Sequence, residues 1–212
     1  MSDLDSSASH VIDDLPGARR DLYRQQILAA AELEFARSGF DQTKVNAIAE
    51  TAGVALGTLY KYFPSKAAIW DALNSQRMDE FRSAVMTLIE PLESPFEKLL
   101  ASARAEVMFL ANHPNFLELH LTGGLSWGTA VRGEHARRHA WQSGMHLLGN
   151  LADEARRRGE IRDLRPSIVA SMIISTLQIW MTEWVNSNRD RRADAVADEV
   201  VEHLRICLAA GG

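Results

Sequence analysis

Apolar residues recur three and four positions apart along almost the whole chain, and nowhere do β-branched and polar residues alternate over the length of a strand. This periodicity points to an all-α fold. The first helix expected from it spans about 17–38, with Ile27, Leu28, Ala31 and Phe35 on one stripe and Arg19, Arg20 and Arg24 off it. Gly39 is placed as a left-handed stop. Two short helices follow, at about 44–51 and 56–62, joined by Ala52-Gly53-Val54, and Pro64 punctuates the second. Ser65 can cap a long helix that Pro91 ends. Ser94-Pro95-Phe96-Glu97 reads as a capping box with proline at the first helical position, opening a helix that reaches about Asn112. Past Pro114 a shorter helical piece runs to Gly123-Gly124, and a long helix of about 129–158 is closed by Gly159. Pro166 then opens a strongly apolar helix ending near Asn186, and a last amphipathic helix covers about 193–210.

Composition narrows the function classes. A single thiol, Cys207, excludes an intramolecular disulfide framework and a cysteine-based zinc site, and suits a reducing compartment, so a cytoplasmic protein is expected. Residues 1–15 carry Asp3, Asp5, Asp13 and Asp14 with no Lys or Arg and no apolar core, which reads as a disordered acidic arm and not as a signal peptide. The apolar stretch 168–185 is interrupted by Ser171, Ser175, Gln178, Thr182 and Glu183, which favours a buried helix over a membrane span. With 23 Lys and Arg against 28 Asp and Glu, the net charge of −5 opposes general affinity for nucleic acid.

One segment nevertheless has the form of a DNA-reading element. Two short helices joined by a tight turn and preceded by a longer one are the sequence form of a helix-turn-helix. Ile48 and Ala49 face inward, Ala49 being small enough for a close crossing; Gly53 accepts the positive φ of the turn; Val54 and Leu59 close the small core. That leaves Leu56, Gly57, Thr58, Tyr60 and Lys61 for the outward face of the second helix, which would enter the major groove. Thr43 and Thr58 offer hydroxyls, Tyr60 and Tyr62 phenols, and Lys44, Lys61 and Lys66 positive charge. The competing reading makes Tyr60, Tyr62 and Phe63 an aromatic core at helical spacing.

Residues 27–69, through Thr43, Ile48-Ala49-Glu50, Ala52-Gly53-Val54, Gly57-Thr58-Leu59-Tyr60, Tyr62-Phe63 and Ser65-Lys66, resemble the DNA-binding domain of TetR-family transcriptional regulators. The resemblance implies three N-terminal helices that bind DNA and a divergent helical domain that binds a small molecule and dimerises. It puts Thr43, Gly57, Thr58, Tyr60, Tyr62 and Lys66 at DNA-contact positions, with Lys66 meeting a phosphate. Two departures stand out: Lys44 and Ala55 occupy positions where many members carry a hydroxyl, the second of which would cap the recognition helix, and Leu56 replaces a commonly basic or polar residue.

Beyond about residue 75 the resemblance fades. Ile168, Met172, Ile173, Leu177, Trp180, Met181 and Trp184 give one helix more apolar surface than a single neighbour covers, and Val196, Val200, Val201, Leu204 and Leu208 add a second stripe. In the resembled family the last two long helices pair with their two-fold mates, so Ile173, Leu177, Trp180, Met181, Trp184, Val201, Leu204 and Leu208 are expected at a homodimer interface, against an intramolecular core as the alternative. Met108, Phe109, Phe116, Leu117, His120, Trp127, Trp141 and Met145 form a middle region suited to an apolar or aromatic effector. The Arg132, Arg137, Arg138 and Arg156-Arg157-Arg158 positions read as a solvated face, with an anionic effector as the alternative. His135 and His139 stand four apart, but the intervening Ala136-Arg137-Arg138 supplies no Glu and repels a cation, so no metal is expected. No phosphate loop or nucleophile elbow is present, and neither a cofactor nor an enzymatic activity is expected.

The sequence therefore divides into an arm at 1–15, a helix-turn-helix domain at 16–75 and a helical effector-binding and dimerisation domain at 76–212. The expected function is a homodimeric, ligand-responsive regulator, a repressor released from a palindromic operator by a small apolar or aromatic effector. The alternative is a helical small-molecule-binding protein or enzyme that keeps the three-helix module only as structure.

Overall fold

The computed structural model describes residues 15–122 and 135–211, with side chains for 19–121 and 144–211. The acidic arm, Gly123-Gly124 and Trp127 lie outside these residues, as do the side chains of His135, His139 and Trp141. The helices are α1 (Leu15–Gln42), α2 (Val45–Thr51), α3 (Leu56–Tyr62), α4 (Lys66–Ile89), α5 (Pro95–Asn112), α6 (Pro114–Thr122), α7 (His135–Arg157), α8 (Pro166–Asn186) and α9 (Ala193–Leu208). The fold is all-α; the extended pairing among the described residues is one isolated antiparallel bridge, Ile161 with Ala209. The chain divides into two compact units, Met1–Leu73 and Asn74–Gly212, and the division falls inside α4.

The first unit is built on the α1 stripe, where Ile27, Leu28, Ala31 and Phe35 are all buried. Gly39 adopts φ 74 and ψ 162, a backbone region in which a side chain would be strained, so it kinks the helix and a last turn continues to Gln42. The kink brings Phe40 beside Phe35 and Trp70, with ring centroids 5.6 and 5.4 Å away, while Trp70 meets Phe35 edge-on at 5.1 Å. Ile48, Leu59, Phe63, Ile69 and Leu73 complete the core. Each such fully buried side chain contributes about 1.5–3 kcal/mol.

In the second unit α5 is the central helix, in contact with α6, α7, α8 and α9. Its start is held from a distance. Ser94 caps it as expected, accepting from the Glu97 amide at 3.1 Å, but Glu97 does not turn back to complete the box. Glu97 instead takes a two-pronged bond from Arg205 of α9, at 2.7 and 3.1 Å. The missing acceptor is Glu160, just beyond Gly159 (φ 68), whose carboxylate takes the Ser94 hydroxyl at 2.7 Å and the Phe96 amide at 2.9 Å. Helix α8 is long and apolar enough to cross a membrane by length and composition, and it packs Val169, Ile173, Leu177 and Met181 into the unit.

Candidate nucleic-acid interface and effector region

Lys44 and Ala55 occupy the N-cap positions of α2 and α3, and neither helix has a side-chain cap bond. A hydroxyl at position 55 would add about 1 kcal/mol to the start of α3. Between the helices Gly53 takes φ 66, and the Val54 amide returns to the Ala49 carbonyl at 3.0 Å. Leu59 is wholly buried, which fixes the rotation of α3 and turns Leu56, Gly57, Tyr60 and Lys61 outward, with Thr58 half-buried. Tyr60 is 48% exposed, and Lys44 is exposed at the start of α2. A Cβ built on Gly57 would meet nothing within 4 Å, so the fold does not itself require a glycine there. The aromatic run divides: Tyr60 faces out, Phe63 lies in the core beneath Arg24 (4.8 Å), and half-buried Tyr62 rests 6.0 Å from Tyr23, which Arg19 overlies at 5.7 Å.

Two expected DNA contacts are placed differently. Thr43 is only 5% exposed, and its hydroxyl donates to the carbonyls of Gly39 (2.7 Å) and Glu34 (3.1 Å). Lys66 points its ammonium at the carbonyls of Phe40 (2.6 Å), Asp41 (3.0 Å) and Thr43 (3.0 Å), and lies 4.6 Å from the Phe40 ring. Its three protons are therefore committed to the end of α1. Both residues hold the kinked segment that leads into α2, and neither presents a free donor to a phosphate. Glu34, which residue pattern alone does not single out, is buried and accepts from Thr51 of α2 at 2.7 Å.

In the second unit Phe116 and Leu117 are core residues, while Met108, Phe109, His120 and Met145 are half-buried. Phe109 centres a ladder of rings, 5.4 Å from Phe81, 4.2 Å from His113 and 6.3 Å from Phe116, which in turn meets His120 at 4.5 Å. Burial holds the His120 imidazole below its ordinary range, and the neutral ring is assigned an Nδ1–H donor to the Phe116 carbonyl at 3.0 Å. Beside this ladder Glu80 accepts from Gln76 (3.0 Å) and Arg77 (2.6 Å). Glu106 is a further ionisable group on α5, and burial alone lifts its carboxyl to about 7. A Glu falling on an apolar helical stripe is the signal that could have singled it out.

The expected dimer residues also need correction. Ile173, Leu177, Met181, Trp184, Leu204 and Leu208 are buried within the unit, and Trp184 donates its indole N–H to the Arg191 carbonyl at 2.8 Å. Helix α8 is apolar on nearly all sides, so the stripe chosen from sequence is the one that fills the intramolecular core. The exposed apolar residues of α8 and α9 are Ile168, Ile179 (61% exposed) and Ile206 (64%), with Trp180 and Val201 half-buried. Trp180 lies 4.7 Å from the His203 ring.

A helix-turn-helix whose second helix turns Gly57, Tyr60 and Lys61 outward, in a chain that continues as an apolar helical unit, has the form of a DNA-binding transcriptional regulator. Residues 27–73 match the family model of bacterial regulatory proteins, tetR family. The chain is 28% identical over 192 residues to the fatty acid metabolism regulator protein of Bacillus subtilis, spanning 88% of this chain and 95% of that relative. Its fold is similar to the crystal structure of the transcriptional regulator FadR from Bacillus subtilis in complex with stearoyl-CoA, with TM-score 0.72, 26% identity, and coverage of 85% of this chain and 96% of that one. The fatty acid degradation regulator FadR from Bacillus halodurans is similar at TM-score 0.76 and 25% identity, covering 86% and 94%. Residues 27–73 thus carry the tetR-family match, and the chain as a whole is similar to regulators of fatty acid metabolism.

Proposed function

We propose that this chain is a cytoplasmic homodimeric repressor, a binding protein and not a catalyst, that leaves its operator when an acyl-CoA occupies the helical domain. The single observation that carries the DNA half is the rotation of α3: with Leu59 buried, Gly57, Tyr60 and Lys61 face outward together. Residues 16–75 form the DNA-binding domain in this reading. Lys44, Gly57, Thr58, Tyr60, Lys61 and Tyr62 remain its contact residues, and the two recognition helices of a dimer read a near-palindrome in major grooves about 34–36 Å apart.

The effector class comes from the relatives. A regulator 26% identical across most of the chain is described in complex with stearoyl-CoA. Half-buried Met108, Phe109 and Met145 suit an acyl chain, because flexible thioether and aromatic surfaces adapt to its length. Residues 76–212 then form the effector-binding and dimerisation domain, with Ile168, Ile179 and Ile206 on the dimer face. One helix, α4, begins in the first unit and ends in the second, so an effector that favours one orientation of α4 shifts the population between binding and released states.

The double substitution Tyr60→Ala, Lys61→Ala tests the DNA-binding face. Affinity for the upstream DNA of its own gene should fall by at least about tenfold, while thermal melting and stearoyl-CoA binding stay unchanged. Unchanged DNA affinity would sink this reading of the interface.

A further inference from the structure

Helix α5 carries a carboxyl group on its inward face that the fold does not use. Glu106 stands four residues from Ser102 and Leu110, three from Ala103 and seven from Leu99, and all four of these are buried. Glu106 is half-buried and stands three residues before Phe109, so it shares a helical face with the ring ladder proposed to meet the effector. The donors on its own stripe are engaged elsewhere. Ser102 gives its hydroxyl proton to the Lys98 carbonyl at 2.8 Å, and the His113 ring is held by the Phe109 carbonyl (2.8 Å) and faces Glu80 (3.8 Å). Among the described residues no donor or cation reaches the Glu106 carboxyl, and burial is what perturbs it. A polar group left in this state is costly to the fold, which makes a ligand-facing role the physical reason to carry one.

Resting on the acyl-CoA reading of the effector, we propose that Glu106 is a selectivity residue of the effector cavity, one that rejects ligands bearing a free carboxylate and admits those whose polar linkage is neutral. Two carboxylates brought together in a poorly solvated cavity cannot both stay ionised. A fatty acid would therefore have to bind as its neutral acid or displace the Glu106 charge. A thioester brings no charge at the acyl carbon and so meets no such repulsion. The cavity thus distinguishes the activated acyl group from the free acid of equal length, a discrimination that apolar walls alone cannot make.

The test is calorimetric titration of the full-length protein with dodecanoyl-CoA and with dodecanoate at about pH 8, comparing wild type with Glu106→Gln and Glu106→Leu. Both variants should tighten dodecanoate binding by about tenfold or more and change dodecanoyl-CoA binding by less than about threefold. Circular dichroism confirms folding, and the near-isosteric glutamine variant keeps the cavity shape if the leucine variant repacks it. Dodecanoate affinity that stays within about threefold of wild type in both variants, with dodecanoyl-CoA still bound, would overturn the role of Glu106 alone. Wild type that binds dodecanoyl-CoA in no measurable amount would overturn the acyl-CoA reading and this proposal with it.

Discussion

The Lys66 ammonium gives all three of its protons to carbonyls of the last turn of α1 and of Thr43, and the Thr43 hydroxyl closes the same turn from inside. In the proposed interface both residues therefore serve by placing α2. Replacing Lys66 by Met should lower the stability of the protein by about 1–2 kcal/mol, since two part-buried carbonyls and one exposed carbonyl lose a charged donor. Lys61→Met should leave stability within about 0.5 kcal/mol and reduce the salt dependence of DNA binding by about one counterion per recognition helix. Thermal denaturation and a salt titration of DNA affinity distinguish the two, and a Lys66→Met variant as stable as wild type would contradict the placement. Sequence spacing brings these donors to one region, but it does not show their acceptors. Those acceptors are backbone carbonyls exposed by the Gly39 kink, and no side-chain type announces them.

At the level of elements, helix ends are legible because their causes are local. Gly39, Gly53 and Gly159 take positive φ at 74, 66 and 68, and Pro95 and Pro166 open α5 and α8, where the residue pattern expects breaks and starts. The faces of α8 are not legible in the same way. A helix apolar on nearly every side has no amphipathic direction of its own, and its rotation is set by α5, α7 and α9, which the sequence of α8 does not contain. The capping box fails for a related reason: Arg205 and Glu160, each more than sixty residues away, compete for its partners. Ile179→Glu should leave the fold intact and shift the protein to monomer in sedimentation equilibrium. Leu177→Glu, placing a charge in the core, should unfold the helical unit. A dimer that persists in Ile179→Glu would show that the exposed face of α8 is not where copies meet.

Across the whole molecule, the net charge of −5 is a sum over unlike regions. Asp3, Asp5, Asp13 and Asp14 supply four acidic groups ahead of α1, whereas Lys44 and Lys61 stand exposed at the helix-turn-helix. This distribution gives low general affinity for DNA with local complementarity at one face, and so favours selective over indiscriminate binding. The DNA-binding half was legible because a reading helix needs certain residues at certain positions. The effector half needs only a cavity of suitable shape and polarity, which many sequences supply, so its ligand class rests on relatives and on Glu106. The most direct measurement is fluorescence anisotropy of a labelled fragment from upstream of the gene, titrated with the full-length protein and then with stearoyl-CoA. Saturable binding that weakens with salt, exceeds that of a shuffled fragment and is reversed by stearoyl-CoA is the predicted result; affinity equal for both fragments would contradict a sequence-reading regulator.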